Sequence, residues 1–547
     1  MIVTDDVLRA EREETDENSN ANLYTCVTPG LTVKEVTFRF YHQSKALAKA
    51  RVLAHVRKHG GSVPAATREI VRSTGLEKQV RNLVAWEVEN KPEKPANNPG
   101  NNPGNRARQA AELEGDRWRE SVNEEMRMAA REAGQPIAQR RVAEPNPEGG
   151  EGRKARHIFD AEDLLDAVAR AGAEGNCSGE VMGAARGGGE KGGGGELGMV
   201  GMVRVRLPTP SLTSLRKTFA ALHPSNRQYG LDETLVGPAG KQFIAHRHEL
   251  GEKVVAEAFV PVARQYAKLG LPPALRPAIY RIALGLPPTP SSKEAAHYAS
   301  LLRSYARTSF HPTDSLLALD VGHVSCDASF FPFADALKSV VEAFSRDPYP
   351  LHNAVAVAHD PIQVLVEGDT QATNVPASGV HPFKGFIRYA APLSLVYEKQ
   401  PDLYFAFRAL YSRLFCRLTV IDSTPGNLVH LCLTFERLLF AQHPSLALHL
   451  SAVGAKPLQV AFPWICHAFV GALPVEEVLL LWDRCVGHDS LVPLAVCAAA
   501  LFLWRSEVLL CCKDKAEVEG VFGSGQLHRI RIVPLLQSFL FLEEFKG

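Results

Sequence analysis

The stretch from Phe462 to Gly487, FPWICHAFVGALPVEEVLLLWDRCVG, admits few folds. Ile465 and Phe469 stand four apart, as do Trp464 and Ala468, so the two pairs lie side by side on one broad helical face. Leu473-Pro474 stops that helix and starts another, with proline at a first-turn position where a missing N–H costs nothing. Glu476 and Glu477 follow where the positive end of the helix dipole favours acids. Val478, Leu481, Trp482 and Cys485 make the inward stripe, and Gly487 supplies the stop. Two helices that each bury a broad face across a sharp corner predict an all-α core.

The 547-residue chain has room for two or three domains, and its 45% apolar content supports a large core. A formal charge of +1 gives no electrostatic reason to expect nucleic acid or a broadly anionic membrane. Its ten cysteines form no C-x-x-C pair, and His246 with His248 lacks a third ligand, so no metal site is expected. Cys466 and Cys485 fall at apolar helical positions, and the Cys511-Cys512 pair reads as packing, as in a reduced cytoplasmic protein. The acidic N-terminus lacks the apolar run of a secretory signal. The longest apolar run, Leu491–Trp504, suits a buried helix better than a bilayer span, so a membrane is met only indirectly, through partners.

Residues 1–90 carry helical patterns at Lys45–Lys58 and Thr67–Glu89. Residues 91–205 read as a linker, Asn/Pro-rich at first, then a charged helix-compatible stretch (106–143), then a glycine-rich tract from Ala171 to Gly201. Its GGGEKG lacks the flanking strand and helix of a dinucleotide site, and Gly237–Lys241 lacks the spacing of a P-loop. A helical lead-in (206–265) precedes the main domain at 266–510 and a helical extension at 511–547. Helices are predicted at Ser211–His223, Leu250–Leu269, Arg276–Leu284, Ser291–Thr308, Phe333–Ser345, Phe386–Val396 and Leu403–Leu418. Others follow at Leu428–Ala441, Ser445–Val453, Leu491–Leu510 and Val533–Glu543.

Trp464, Phe469, the Leu-Pro break and the run into Leu481-Trp482-Asp483 resemble a late block of the TBC domain, the domain of Rab GTPase-activating proteins. Gly270-Leu271-Pro272, Arg276 and an aromatic four residues later, Tyr280, resemble the opening of that domain. The two blocks lie about 200 residues apart, a span one large domain can hold. The stretch Ser378–Phe386 and the C-terminal Val533–Phe541 narrow the resemblance to one branch of the family.

The resemblance implies a multi-helix fold that acts on a Rab-type small GTPase in its GTP state during vesicle traffic. It also implies no cofactor of the chain's own, since GTP and Mg²⁺ belong to the partner. The family's I-x-x-D-x-x-R motif, whose arginine stabilises charge on the transferring phosphoryl group, falls on Leu317–His323. Asp320 is kept and His323 stands in the arginine position. Its Y-x-Q-G motif, whose glutamine orients the attacking water, falls on Pro376–Gly379, with Ser378 for the glutamine and Gly379 kept.

An arginine finger contributes ~10³–10⁵ in rate. An imidazole offers at most two donors, with an ordinary pKa of about 6.5, and a serine hydroxyl is too short to imitate the amide. The plain alternatives are that Asp320 caps or ion-pairs within the fold and that His323 is a surface residue without a task. Three functions stay open: a GTPase activator with substituted fingers, a catalytically silent Rab-binding or scaffolding protein, and, only if the block matches are accidental, a plain helical scaffold unrelated to GTPases. Either of the first two is expected in the cytoplasm, with peripheral recruitment to endomembranes.

Overall fold

The computed structural model describes residues 103–132, 159–171, 201–205, 207–307, 312–325, 327, 329–356, 362–365, 372–523 and 525–541. All of them belong to the unit Lys94–Gly547, and the helices expected before residue 90 lie outside the described residues. The fold is helical, with one small antiparallel hairpin, β1 (Ile362–Leu365) and β2 (Ala372–Val375), paired from Ile362–Val375 to Leu365–Ala372.

Two helices come first, α1 (Pro103–Glu132) and α2 (Ala161–Arg170). The central array begins with α3 (Pro238–Glu257), α4 (Val260–Ala267), α5 (Arg276–Ala283), α6 (Ser292–Arg307), α7 (Pro312–Ser325) and α8 (Ala334–Arg346). It continues through α9 (Gln400–Arg413), α10 (Leu428–Gln442), α11 (Pro457–Cys466), α12 (Val475–His488), α13 (Val492–Trp504) and α14 (Ile532–Phe541). The apolar run too short for a bilayer becomes α13, buried from Pro493 to Phe502 and packed by α10, α12 and α14. Among the described residues no helix is long and apolar enough to cross a membrane.

The two sequence blocks, Gly270–Tyr280 and Trp464–Asp483, meet in space. Asp483 of α12 is fully buried, and its carboxylate takes the Arg276 guanidinium through both oxygens, at 2.9 and 3.0 Å. It also accepts from the Leu271 amide (3.0 Å) and the Tyr280 hydroxyl (2.9 Å), while Arg276 donates to the Leu271 carbonyl (3.0 Å). Every donor comes from 271–280, about two hundred residues upstream. Gly270 precedes them with φ +85°, and a Cβ there would lie 2.7 Å from both the Tyr229 carbonyl and the Arg484 guanidinium. Arg484 is itself buried on the Leu480 and Tyr229 carbonyls, and burial pushes its pKa down to about 10.

At the corner between α11 and α12 the structure departs from the expected helix ends. The first helix stops at Cys466, and Ala468 and Phe469 adopt left-handed backbone, φ 48° and 67°. Such strain persists only where the surroundings fix it. Trp482 does so by donating its indole N–H to the Ala468 carbonyl (3.0 Å), and the Phe469 amide returns to the Trp464 carbonyl (2.7 Å). Trp464 packs against Phe469, Phe502 and Phe522, joining the corner to α13 and the segment after it.

Gly487 is not the helix stop either, since α12 runs on to His488 and closes on Asp489. The glycine lies where α4 crosses α12, and a Cβ would stand 2.6 Å from the Lys268 amide nitrogen and 2.9 Å from the Ala267 carbonyl carbon. The expected helix Leu250–Leu269 is in fact two, because Pro261 cannot donate and Ala258 turns left-handed between α3 and α4. Gly520, by contrast, is helical with open space where a Cβ would go. Gly487→Ala is therefore expected to cost about 1–3 kcal/mol in urea unfolding, while Gly520→Ala is neutral or slightly stabilising. Equal midpoints for the two variants would contradict the close α4–α12 crossing.

Candidate functional site

The helix α7 inverts the usual polarity. Its Leu319 is 52% exposed while the neighbouring Asp320 is 3% exposed. The Asp320 carboxylate reaches across to the start of the short 3₁₀ helix Phe386–Tyr389, accepting from the Gly385 amide (2.5 Å) and the Ile387 amide (2.7 Å). A carboxylate with two backbone donors replaces much of the water it gives up. Burial still dominates and pushes the Asp320 pKa up to about 6, against the opposite pull of those amides, Arg388 and His323.

The loop is shaped to receive that carboxylate. Gly385 has φ +99°, and a Cβ on it would lie 2.4 Å from Nε2 of His467. His467 stacks flat against Phe383, at 14° between planes, and its Nδ1 is 3.1 Å from the Arg388 guanidinium. A guanidinium only donates, so Nδ1 accepts and the imidazole carries its proton on Nε2. Burial, with Arg388 adding to it, pushes the His467 pKa down to about 3, so the ring is a neutral wedge at physiological pH. On the far side the Lys384 amide donates to the Phe159 carbonyl (3.0 Å). Phe159 also stands edge-on to Trp118 of α1 and to His381.

One turn past Asp320 on the same helix, His323 is exposed. Asp320 thus brings together, at one place, the helix of His323 and the loop 384–388. Phe331, 62% exposed, lies in the short helix Phe331–Phe333 that packs on α7. The helix is pinned from its other end by Asp314, which takes both terminal nitrogens of Arg346 on α8 at 2.8 and 2.9 Å.

Ser378 and Gly379 are placed differently. Ser378 is fully buried, its hydroxyl accepting from the Val380 amide (3.3 Å), and Gly379 is buried against Leu351. A side chain in that position offers nothing to a docked protein. The exposed residue before a glycine in this stretch is Lys384, before Gly385. The remaining motif residues (Gly270, Pro272, Arg276, Trp464, Trp482 and Asp483) lie in the buried network that joins α5 to α12 or in the α11–α12 corner.

Sequence reasoning missed Lys384, Gly385 and Arg388 as members of this face, and it missed α7 and α2 as helices. For α2 a signal existed: Asp160 and Asp163 form a reciprocal capping box ahead of the stripe Leu164, Leu165, Val168. For the loop, a Lys-Gly step between two aromatic residues was the only local cue.

Residues 379–510 match the family model of the Rab-GTPase-TBC domain. The chain is 35% identical over 348 residues to TBC1 domain family member 19 of Homo sapiens, an alignment covering 62% of this chain and 65% of that protein. Among solved structures it resembles the Chlamydomonas flagellar RabGAP TBC domain, with 14% identity, TM-score 0.40, and coverage of 61% of this chain and 97% of that one. It also resembles the Ypt/Rab-GAP domain of Gyp1p, with 12% identity, TM-score 0.39, and coverage of 62% and 100%.

The clasp carries a pH dependence of known sign. Because the folded pKa of Asp320 is raised to about 6, the folded chain takes up this proton before the unfolded chain does. The group's contribution is fully present below about pH 4 and is lost as pH rises through about 6. The stability advantage of wild type over Asp320→Asn should therefore shrink between pH 4 and pH 7.5, by on the order of 2–3 kcal/mol. Parallel pH profiles of the two proteins in urea unfolding would contradict the buried clasp.

Proposed function

Since this chain carries a Rab-GTPase-TBC domain across residues 379–510, we propose that it binds a Rab-type small GTPase in its GTP state and raises that GTPase's rate of hydrolysis. The face at α7 and loop 384–388 is the docking site in this reading. The observation that carries it is the Asp320 clasp, which fixes a helix bearing an exposed imidazole beside a loop bearing an exposed ammonium. Hydrolysis of GTP develops charge on the γ-phosphoryl oxygens, and catalysis there is positioning and electrostatics rather than covalent chemistry. The nucleotide and Mg²⁺ are the partner's. Recruitment to endomembranes follows from the partner and not from a membrane-spanning helix of this domain.

His323 cannot supply what an arginine does. A guanidinium is permanently charged and donates in a planar fork, whereas an imidazole is shorter and donates from at most two nitrogens. Acceleration well below the ~10³–10⁵ of an arginine finger is the consequence. A catalytically silent binder is the second reading, favoured by the burial of Ser378, which leaves no side chain at that position to orient water.

Single-turnover GTP hydrolysis across a panel of Rab proteins separates the two. Expected is a weak acceleration with at least one Rab, reduced in His323→Ala while binding is kept. Tight binding with unaltered hydrolysis would establish the silent binder, and no binding to any GTP-loaded Rab would overturn the proposal.

A further inference from the structure

His323 is not the only polar side chain that the Asp320 clasp brings to this face. Its two backbone partners, the amides of Gly385 and Ile387, lie within the segment that begins at Lys384, at the start of the 3₁₀ helix Phe386–Tyr389. Two basic residues stand on that loop, and they differ in what holds them. Arg388 is half-buried, with its guanidinium on His467 Nδ1 at 3.1 Å and lying 3.5 Å from where a Cβ on Gly471 would be. One of its guanidinium nitrogens is committed to the loop's own support. Lys384 is exposed, and among the described residues its side chain has no hydrogen-bond or ion-pair partner. Its backbone is nonetheless fixed on both sides, by its own amide on the Phe159 carbonyl (3.0 Å) and by the next residue's amide on Asp320 (2.5 Å).

A cation with an immobilised backbone and an unengaged head suits an anionic partner, because the ordering cost of the main chain is met by the fold before the partner arrives. The neighbouring His323 lies one turn beyond Asp320 on α7, so the carboxylate that fixes the loop also fixes the distance between the two side chains' backbones.

We infer that Lys384, rather than His323 alone, supplies the permanent positive charge directed at the phosphate oxygens of the bound GTPase nucleotide, with His323 beside it as a hydrogen-bond donor. The inference rests on the Rab-binding reading above. It assigns the loop 384–388 a direct part in sensing the partner's nucleotide state. An ammonium is a compact point charge that tolerates several approach geometries, which suits a phosphoryl group in flight when no planar fork is present.

The test is binding of the full chain to a Rab from the panel, loaded in turn with GDP, with GDP plus aluminium fluoride as a mimic of the transferring phosphoryl group, and with a non-hydrolysable GTP analogue. Lys384→Ala should weaken binding to the aluminium fluoride state roughly 10-fold or more beyond any loss for the GDP state. Lys384→Arg should restore most of that loss, and Lys384→Gln should not. Lys515→Ala removes an exposed lysine elsewhere on the chain and should leave every state within about twofold of wild type. Wild-type binding that discriminates nucleotide states, matched by unchanged discrimination in Lys384→Ala, would overturn the inference and leave the Rab reading intact. Failure of the wild-type chain to bind any Rab in any state would overturn both.

Discussion

The buried carboxylate of Asp483 is the point from which the rest of the domain is organised. It neutralises Arg276, accepts from Leu271 and Tyr280, and so welds α5 and the turn before it onto α12. Burying an ion pair is costly unless the remaining lone pairs and protons are satisfied, and removing one partner of such a pair typically costs about 3–5 kcal/mol. Here the two carboxylate oxygens have four donors between them, and the Arg276 pKa is held above its ordinary range by the carboxylate in spite of burial. The value of the arrangement is in register as much as in stability. It fixes which turn of α5 faces which turn of α12, and the α11–α12 corner follows from that placement.

The same device recurs. Asp320 clasps the amides of Gly385 and Ile387, Glu436 clasps those of Met202 and Val203, and Glu477 takes the amide of Ile532. In each case a helical carboxylate is spent on backbone far away in sequence, and burial raises its pKa. Helix starts and irregular connections both leave amides without an intrahelical partner, so carboxylates that reach them satisfy groups the helices cannot. At Asp320 the device has a functional by-product. Fixing an irregular loop against a helix is also what a docking face for another protein needs, and the residues left over from the clasp, His323 and Lys384, are the ones turned to solvent.

What the sequence made legible, and what it hid, divides along the same line. The helices α5, α6, α8, α10 and α13 follow from local periodicity and from proline and glycine at their ends, and they fall within a residue or two of the expected spans, apart from the later end of α13. The motif residues Arg276, Trp464, Trp482 and Asp483 were visible as a pattern, yet nothing local said that Arg276 and Asp483 are partners across 207 positions. α7 was hidden because its apolar stripe is broken by exposed Leu319 and buried Asp320, an inversion that only the distant loop explains. Ser378 matched by position in a motif, and the structure buries it. The exposed residue–glycine step six positions later was not distinguishable without the clasp that singles out Gly385.

Hydrogen exchange of the full chain with and without a GTP-loaded Rab is the most direct measurement of whether this face is the docking site. Slowed exchange should centre on amides of 319–323 and 384–388, with the buried α5–α12 network unchanged. Saturating binding that slows exchange elsewhere and leaves both segments untouched would contradict it.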